Sequence, residues 1–92
     1  MGDEVVLVTG AASGIGASAA ALLCQRGFGV ALIDVDRAGL DEVVSCCPSG
    51  RCRAFTADVT DFAAICGAAE NAAAHFGRID AVVANAGVGS CV

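Results

Sequence analysis

Apolar residues in this chain come in short runs that close on a small or acidic residue. Val5 to Val8 is the first, mostly β-branched and unbroken by polar residues, and it reads as a strand buried on both faces. It stops at Thr9-Gly10. Phe28 to Ile33 gives a second strand closing on Asp34, and Cys52 to Ala57 a third ending on Asp58-Val59. Ala81 to Ala84 is a fourth, leading into Asn85-Ala86-Gly87. Between the strands the period lengthens to that of a helix. Ile15, Ala19, Leu22 and Leu23 mark the sheet-facing side of a first helix from about Ser13 to Arg26, stopped by Gly27. Asp36 or its neighbour caps a short second helix carrying Leu40, Val43 and Val44. A breaker segment from Cys46 to Gly50, with Pro48, follows. Thr60 caps a third helix whose face is Phe62, Ile65, Ala69, Ala72 and Phe76 and whose stop is Gly77.

This alternation predicts an α/β fold with a parallel sheet and right-handed crossovers. The expected strand order is 3-2-1-4, with three helices. That order leaves the fourth strand as an apolar edge, a surface for self-association. The chain reads as one domain, 1–92, with no linker inside it.

The turn after the first strand carries the clearest chemistry. Thr9-Gly10 is followed by Ala11, Ala12 and Ser13, then by Gly14-Ile15-Gly16, where helical periodicity begins. Glycines let a backbone turn sharply and let a phosphate oxygen approach main-chain N–H groups with no Cβ in the way. The first helical turn adds unsatisfied donors and the positive end of its dipole. An ordinary tight βα turn would share the spacing, so context must decide. Here a strand precedes and a helix follows. Asp34, 18 residues past Gly16, closes the next strand, where a carboxylate can accept hydrogen bonds from an adenosine ribose.

Composition narrows the function further. Net charge is −5, and the five basic residues are scattered without a stripe, which disfavours nucleic acid and anionic membranes as partners. The 57% hydrophobic content is spread over short runs, none near the roughly 20 residues that span a bilayer. The acidic start, Met1-Gly2-Asp3-Glu4, lacks a secretory n-region, so a cytoplasmic location is expected. Six cysteines raise a disulfide framework or a zinc site at Cys46, Cys47 and Cys52. Adjacent cysteines do not easily face one ion, and His75 belongs to a separate helix. Small buried and loop thiols are the simpler expectation.

Taken together, Thr9-Gly10-x-x-x-Gly14-x-Gly16, Asp34, Asp58-Val59 and Asn85-Ala86-Gly87 resemble the short-chain dehydrogenase/reductase family. Gly77-Arg78-Ile79-Asp80, leading into the fourth strand, matches it too, and the resemblance covers essentially the whole chain. Ala84 is a mild departure, since the family usually writes Asn there. The resemblance implies a Rossmann-type sheet, truncated at four strands, and a nicotinamide dinucleotide as cofactor. It places Thr9, Gly10, Ser13, Gly14, Ile15 and Gly16 around the pyrophosphate. Asp34 falls on the ribose hydroxyls, Asp58 and Val59 beside adenine, and Asn85, Ala86 and Gly87 along the cleft. Asp58 as a plain turn initiator stays open. Asp80, at the start of its strand, reads as structural, and Arg37 as a solvated helix residue.

Asp34 favours NAD over NADP, because a carboxylate repels a 2′-phosphate and Arg37 alone supplies a cation nearby in sequence. The resemblance also implies hydride transfer between nicotinamide and an alcohol or carbonyl substrate, assisted by a Tyr-x-x-x-Lys pair and a serine. The chain contains no Tyr and no Lys, and Ser90 arrives too early to be that serine. The chain alone is therefore expected to be an inactive, cofactor-binding fragment of an oxidoreductase, with no catalytic residue and no metal assigned. Two alternatives remain: a non-catalytic nucleotide-binding module that pairs through its fourth strand, and an unrelated doubly wound fold.

Overall fold

The computed structural model describes residues 4–12, 14–47, 51–58 and 60–84. Its elements are β1 (Val5–Thr9), α1 (Gly14–Gln25), β2 (Gly29–Asp34), α2 (Arg37–Cys46), β3 (Cys52–Thr56), α3 (Phe62–Phe76) and β4 (Ala81–Ala84). The four strands form one sheet in the order β3-β2-β1-β4. All three pairings are parallel, with Val6 opposite Val30 and Ala81, and Val30 opposite Cys52. The sheet order matches the sequence-based expectation, and the strand bounds agree with it to within one residue.

Side chains alternate faces along a strand, and here that alternation builds two cores. Val6, Val8, Val30, Leu32 and Cys52 face α1 and α2, where Ala20, Cys24, Leu40 and Val43 meet them. Leu7, Ala31 and Ile33 face the other way, onto Ala68 and Ala72 of α3. Leu32, Ile33 and Leu40 are fully buried, each stabilising the fold by about 1.5–3 kcal/mol. β4 is different: all four of its residues are exposed.

One helix, α1, presents a different face from the one its large apolar residues predict, and α3 keeps Ile65, Ala72 and Phe76 of its expected face on the core but not Phe62. In α1 the buried residues are Gly16, Ala20 and Cys24, while Ile15 is 76% exposed and Leu22 stands outside. The glycine turn sets the direction in which α1 leaves β1, so the turn, not the bulkiest side chains, selects the stripe. A stripe of small residues then lets the helix lie close on β1. In α3, Ala68 and Ala72 are buried, Ala64, Ile65 and Phe76 pack partly, and Phe62 is 81% exposed.

The α3 cap also moves by one residue. Asp61, not Thr60, is the N-cap, its side chain accepting from the Ala64 N–H. Thr60 is already engaged, donating through its N–H and hydroxyl to Asp58 Oδ1. Asp36 caps α2 as expected, accepting from the Gly39 N–H at 3.1 Å. Gly27 and Gly77 follow α1 and α3 with φ of 94° and 89°.

At the amino end of the sheet, Val5 and Asp80 form a closed pair. The Val5 N–H donates to Asp80 Oδ2 and the Asp80 N–H to the Val5 carbonyl, both at 2.8 Å. Arg78 grips the same carboxylate at 2.6 Å. Its hydrogen bonds, and the one from Val5, hold the Asp80 carboxyl below the ordinary carboxylate range. This is the structural role expected of Asp80.

Among the described residues one disulfide, rather than a framework, joins Cys47 after α2 to Cys52 at the start of β3, their Cα atoms 6.3 Å apart. The expectation of loop and buried thiols fails at this pair, because the end of α2 and the start of β3 bring the two cysteines together. Burial pushes the Cys24 thiol up, with the Arg51 charge pulling the other way. Cys46 is exposed, so the zinc grouping of Cys46 with Cys47 and Cys52 does not form. Among the described residues no helix is long and apolar enough to cross a membrane.

Candidate dinucleotide-binding site

In a parallel sheet the carboxyl ends of all strands open on one side, and there the chain bends through its glycine turn. Thr9 ends β1 and is buried. Gly10 then adopts φ 65°, a left-handed conformation that side chains with a Cβ rarely take. From that bend Ala11 donates its N–H to the Ile33 carbonyl at 3.1 Å. Ala12 donates to Asp34 Oδ2 at 3.0 Å. The turn is thus laced to the end of β2 by main chain and carboxylate together.

Asp34 uses its other oxygen on the chain that follows. Oδ1 accepts from the Asp36 N–H at 3.0 Å. Each oxygen takes one N–H, and a carboxylate oxygen can accept two hydrogen bonds. The half-buried side chain therefore keeps acceptor capacity at the mouth of the sheet.

Gly39 is a site residue that hydrophobic patterning does not reveal. A Cβ there would lie 2.7 Å from Asp36 Oδ2 and 2.8 Å from the Ala12 Cβ. Its missing side chain brings the first turn of α2 against the glycine turn. The available signal was a glycine inside a short helix, where it costs about 1 kcal/mol against alanine and needs a reason.

Gly14 opens α1, and a Cβ built on it meets nothing within 4 Å. Space in front of the helix start, with N–H donors of the first turn beside it, is what a diphosphate requires. Gly16 is buried against the sheet, whereas the Ile15 side chain points outward. These residues and Asp34 gather at one edge of the fold. The donor set and the open space over Gly14 fit a dinucleotide.

Asp58 follows β3 at the same end. Its Oδ1 accepts the Thr60 hydroxyl at 2.7 Å and the Thr60 N–H at 2.9 Å. Those bonds, the hydroxyl's above all, hold its carboxyl below the ordinary range. The turn-initiating role is thus what Asp58 visibly performs. Ser13, Val59, Asn85, Ala86 and Gly87 lie outside the described residues. Arg37 is exposed and pairs with Asp41 at 3.1 Å, reaching Thr56 Oγ1 at 3.5 Å.

Comparison with known proteins agrees with this geometry. A family model described as short chain dehydrogenase matches residues 4–92. The cis-4-hydroxycyclohexanecarboxylate dehydrogenase of Sinomonas cyclohexanicum is 44% identical over 88 residues, 94% of this chain and 35% of that protein. The D-threitol dehydrogenase of Mycolicibacterium smegmatis is 42% identical over 87 residues, 92% of this chain and 34% of the relative. The chain therefore spans about a third of the length of these curated relatives. Among solved structures, NAD+-bound xylitol dehydrogenase superposes with a TM-score of 0.87 at 33% identity, covering 94% of this chain and 34% of the other. The 3-ketoacyl-(acyl-carrier-protein) reductase of Brucella melitensis complexed with NADH gives 0.79 at 32% identity, covering 86% and 32%. With its four-stranded parallel sheet and its glycine turn, the chain belongs to the short-chain dehydrogenase family.

Proposed function

We propose that this chain is the dinucleotide-binding part of an NAD-dependent oxidoreductase, one that moves hydride between a nicotinamide and an alcohol or carbonyl substrate. The observation that carries the reading is the Asp34 carboxylate, held beside the glycine turn by the Ala12 and Asp36 N–H groups. Thr9, Gly10, Ser13, Gly14, Ile15 and Gly16 surround the diphosphate through main-chain contacts. Asp34 accepts from the ribose hydroxyls. Asp58, with Val59, borders the adenine, and Asn85, Ala86 and Gly87 line the cleft. The bound nicotinamide supplies hydride acceptance and donation. This chain's residues bind and orient it, and substrate contacts belong to the remainder of a full-length protein.

NAD is preferred to NADP on charge. Asp34 repels a 2′-phosphate, and the nearby Arg37 guanidinium is already shared between Asp41 and Thr56. The 92-residue chain, with no Tyr and no Lys, forms a single cofactor-binding unit and transfers no hydride alone. It resides in the cytoplasm. The exposed β4 edge favours pairing with a further strand, including that of a second copy.

Fluorescence titration with NADH and NADPH tests the reading. Saturable NADH binding, tighter than NADPH, is expected. Asp34→Asn should weaken NADH by roughly 10- to 100-fold, as hydrogen bonds to a charged group are worth about 1.5–3 kcal/mol. It should also narrow the gap between the two cofactors. Tighter NADPH binding by the unaltered chain would refute the NAD assignment, and no binding of either would refute the site.

A further inference from the structure

The amino end of the sheet carries chemistry that dinucleotide binding does not use. Cys24 lies in the last turn of α1, Cys47 follows α2, and Cys52 opens β3. Three elements thus deliver a sulfur to one place, and the three Sγ atoms lie within 4.8 Å of one another. Cys24 and Cys52 are buried and Cys47 is half-buried. Packing alone explains a small buried thiol on a helix stripe. The disulfide accounts for two of the sulfurs, but not for a third, from α1, lying within 4.8 Å of them.

We infer that, once the Cys47–Cys52 disulfide is reduced, Cys24, Cys47 and Cys52 bind one zinc ion through three thiolates. Sulfurs around a zinc with Zn–S of about 2.3 Å stand roughly 3.8–4.0 Å apart, so the Cys47 and Cys52 sulfurs separate once reduced, while Cys24 Sγ already lies within 4.8 Å of both. An all-sulfur set selects a thiophilic cation over magnesium or calcium. His75 sits on α3, the helix across the sheet from α1 and α2, so water supplies the fourth position. Charge closes as well: three thiolates and zinc leave one negative charge, beside the Arg51 guanidinium that acts on Cys24.

Reduction by a monothiol transfers two electrons and two protons to the Cys47–Cys52 pair and leaves the reductant as its own disulfide. Zinc then displaces the three thiol protons. Cys24 lies at the far end of α1 from Gly14, and Cys52 opens β3 at the amino end of the sheet, so this site is remote from the glycine turn. The ion would clamp α1, the end of α2 and β3 together.

The test is a zinc titration of the reduced full chain without oxygen, against a chromophoric chelator, with cobalt(II) substitution to read sulfur-to-metal charge transfer. One zinc per chain is expected, with thiolate bands in the cobalt form. Cys24→Ser should weaken zinc by more than about 100-fold, the upper end of what losing even an outer partner of a metal site costs. Cys46→Ser and Cys66→Ser should leave affinity unchanged. Should Cys24→Ser fail to fold by circular dichroism, Cys47→Ser at the half-buried corner takes its place, with the same loss expected. No binding by the reduced chain, binding that survives loss of Cys24 or Cys47, or binding lost with Cys46, would each overturn the site. NADH titration of the same samples reports on the other end of the sheet and is independent of these outcomes.

Discussion

Asp34 and Asp80 sit at opposite ends of one sheet and begin with the same task. Each accepts a main-chain N–H from a distant part of the chain, Ala12 in one case and Val5 in the other. They differ in what is left of the carboxylate. Both Asp80 oxygens are gripped by Arg78, and the group is a finished latch between β1 and the start of β4. Asp34 accepts two N–H groups, from Ala12 and Asp36, one on each oxygen. No cation hydrogen-bonds to it among the described residues. A carboxylate that orders its own loop and still has lone pairs toward the cleft suits a sugar diol. The amino end, by comparison, is locked.

The sharpest way to break this contrast is Asp34→Ala. It removes the acceptor for two N–H groups, and unfolding by urea should show a loss of about 2–3 kcal/mol. Gly39→Ala should cost about 1–2 kcal/mol in the same assay, because the added Cβ overlaps Asp36 and Ala12. Asp61→Ala should cost about 1 kcal/mol by removing the α3 cap, whereas Thr60→Ala should leave that helix start in place.

Gly14→Ala sharpens the comparison from the other side. The new methyl meets no protein atom, so Tm should hold or rise slightly, while NADH affinity falls. The smallest effect belongs to Asp80. Its carboxyl titrates below the usual 3.8, so its contribution is complete above that value and drains away as pH falls through the lowered pKa. Asp80→Asn should therefore lower Tm slightly near neutrality, with the gap to the unaltered chain closing as pH falls below about 4.

The strands and their order were legible because each apolar run is bounded by an acid or a glycine, and because alternation with helices leaves few topologies. The face of α2 was legible too, in Leu40, Val43 and Val44, but that of α1 was not. Periodicity weighs large side chains, yet α1 buries Gly16, Ala20 and Cys24 and turns Ile15 and Leu22 outward. What faces the sheet there is set by closeness of approach, which small residues give and hydropathy does not rank. At the site, the positions of Gly10 and Asp34 were legible from spacing. The bonds from Asp34 to Ala12 and Asp36, and the close approach at Gly39, depend on how α2 returns across the turn. That is tertiary information. Cys24, far from Cys47 in sequence, joined the sulfur cluster for the same reason.

The pairing of β4 has a consequence for how this molecule opens. β1 is buried along its whole length, yet its partner on one side has no covered residue. Amide protection should therefore fall in steps across the sheet, deepest in β1 and β2 and shallowest in β4. A fluctuation that peels β4 away uncovers β1 directly, so hydrogen–deuterium exchange should enter the core from that flank, with the Asp80–Val5 latch as its gatekeeper.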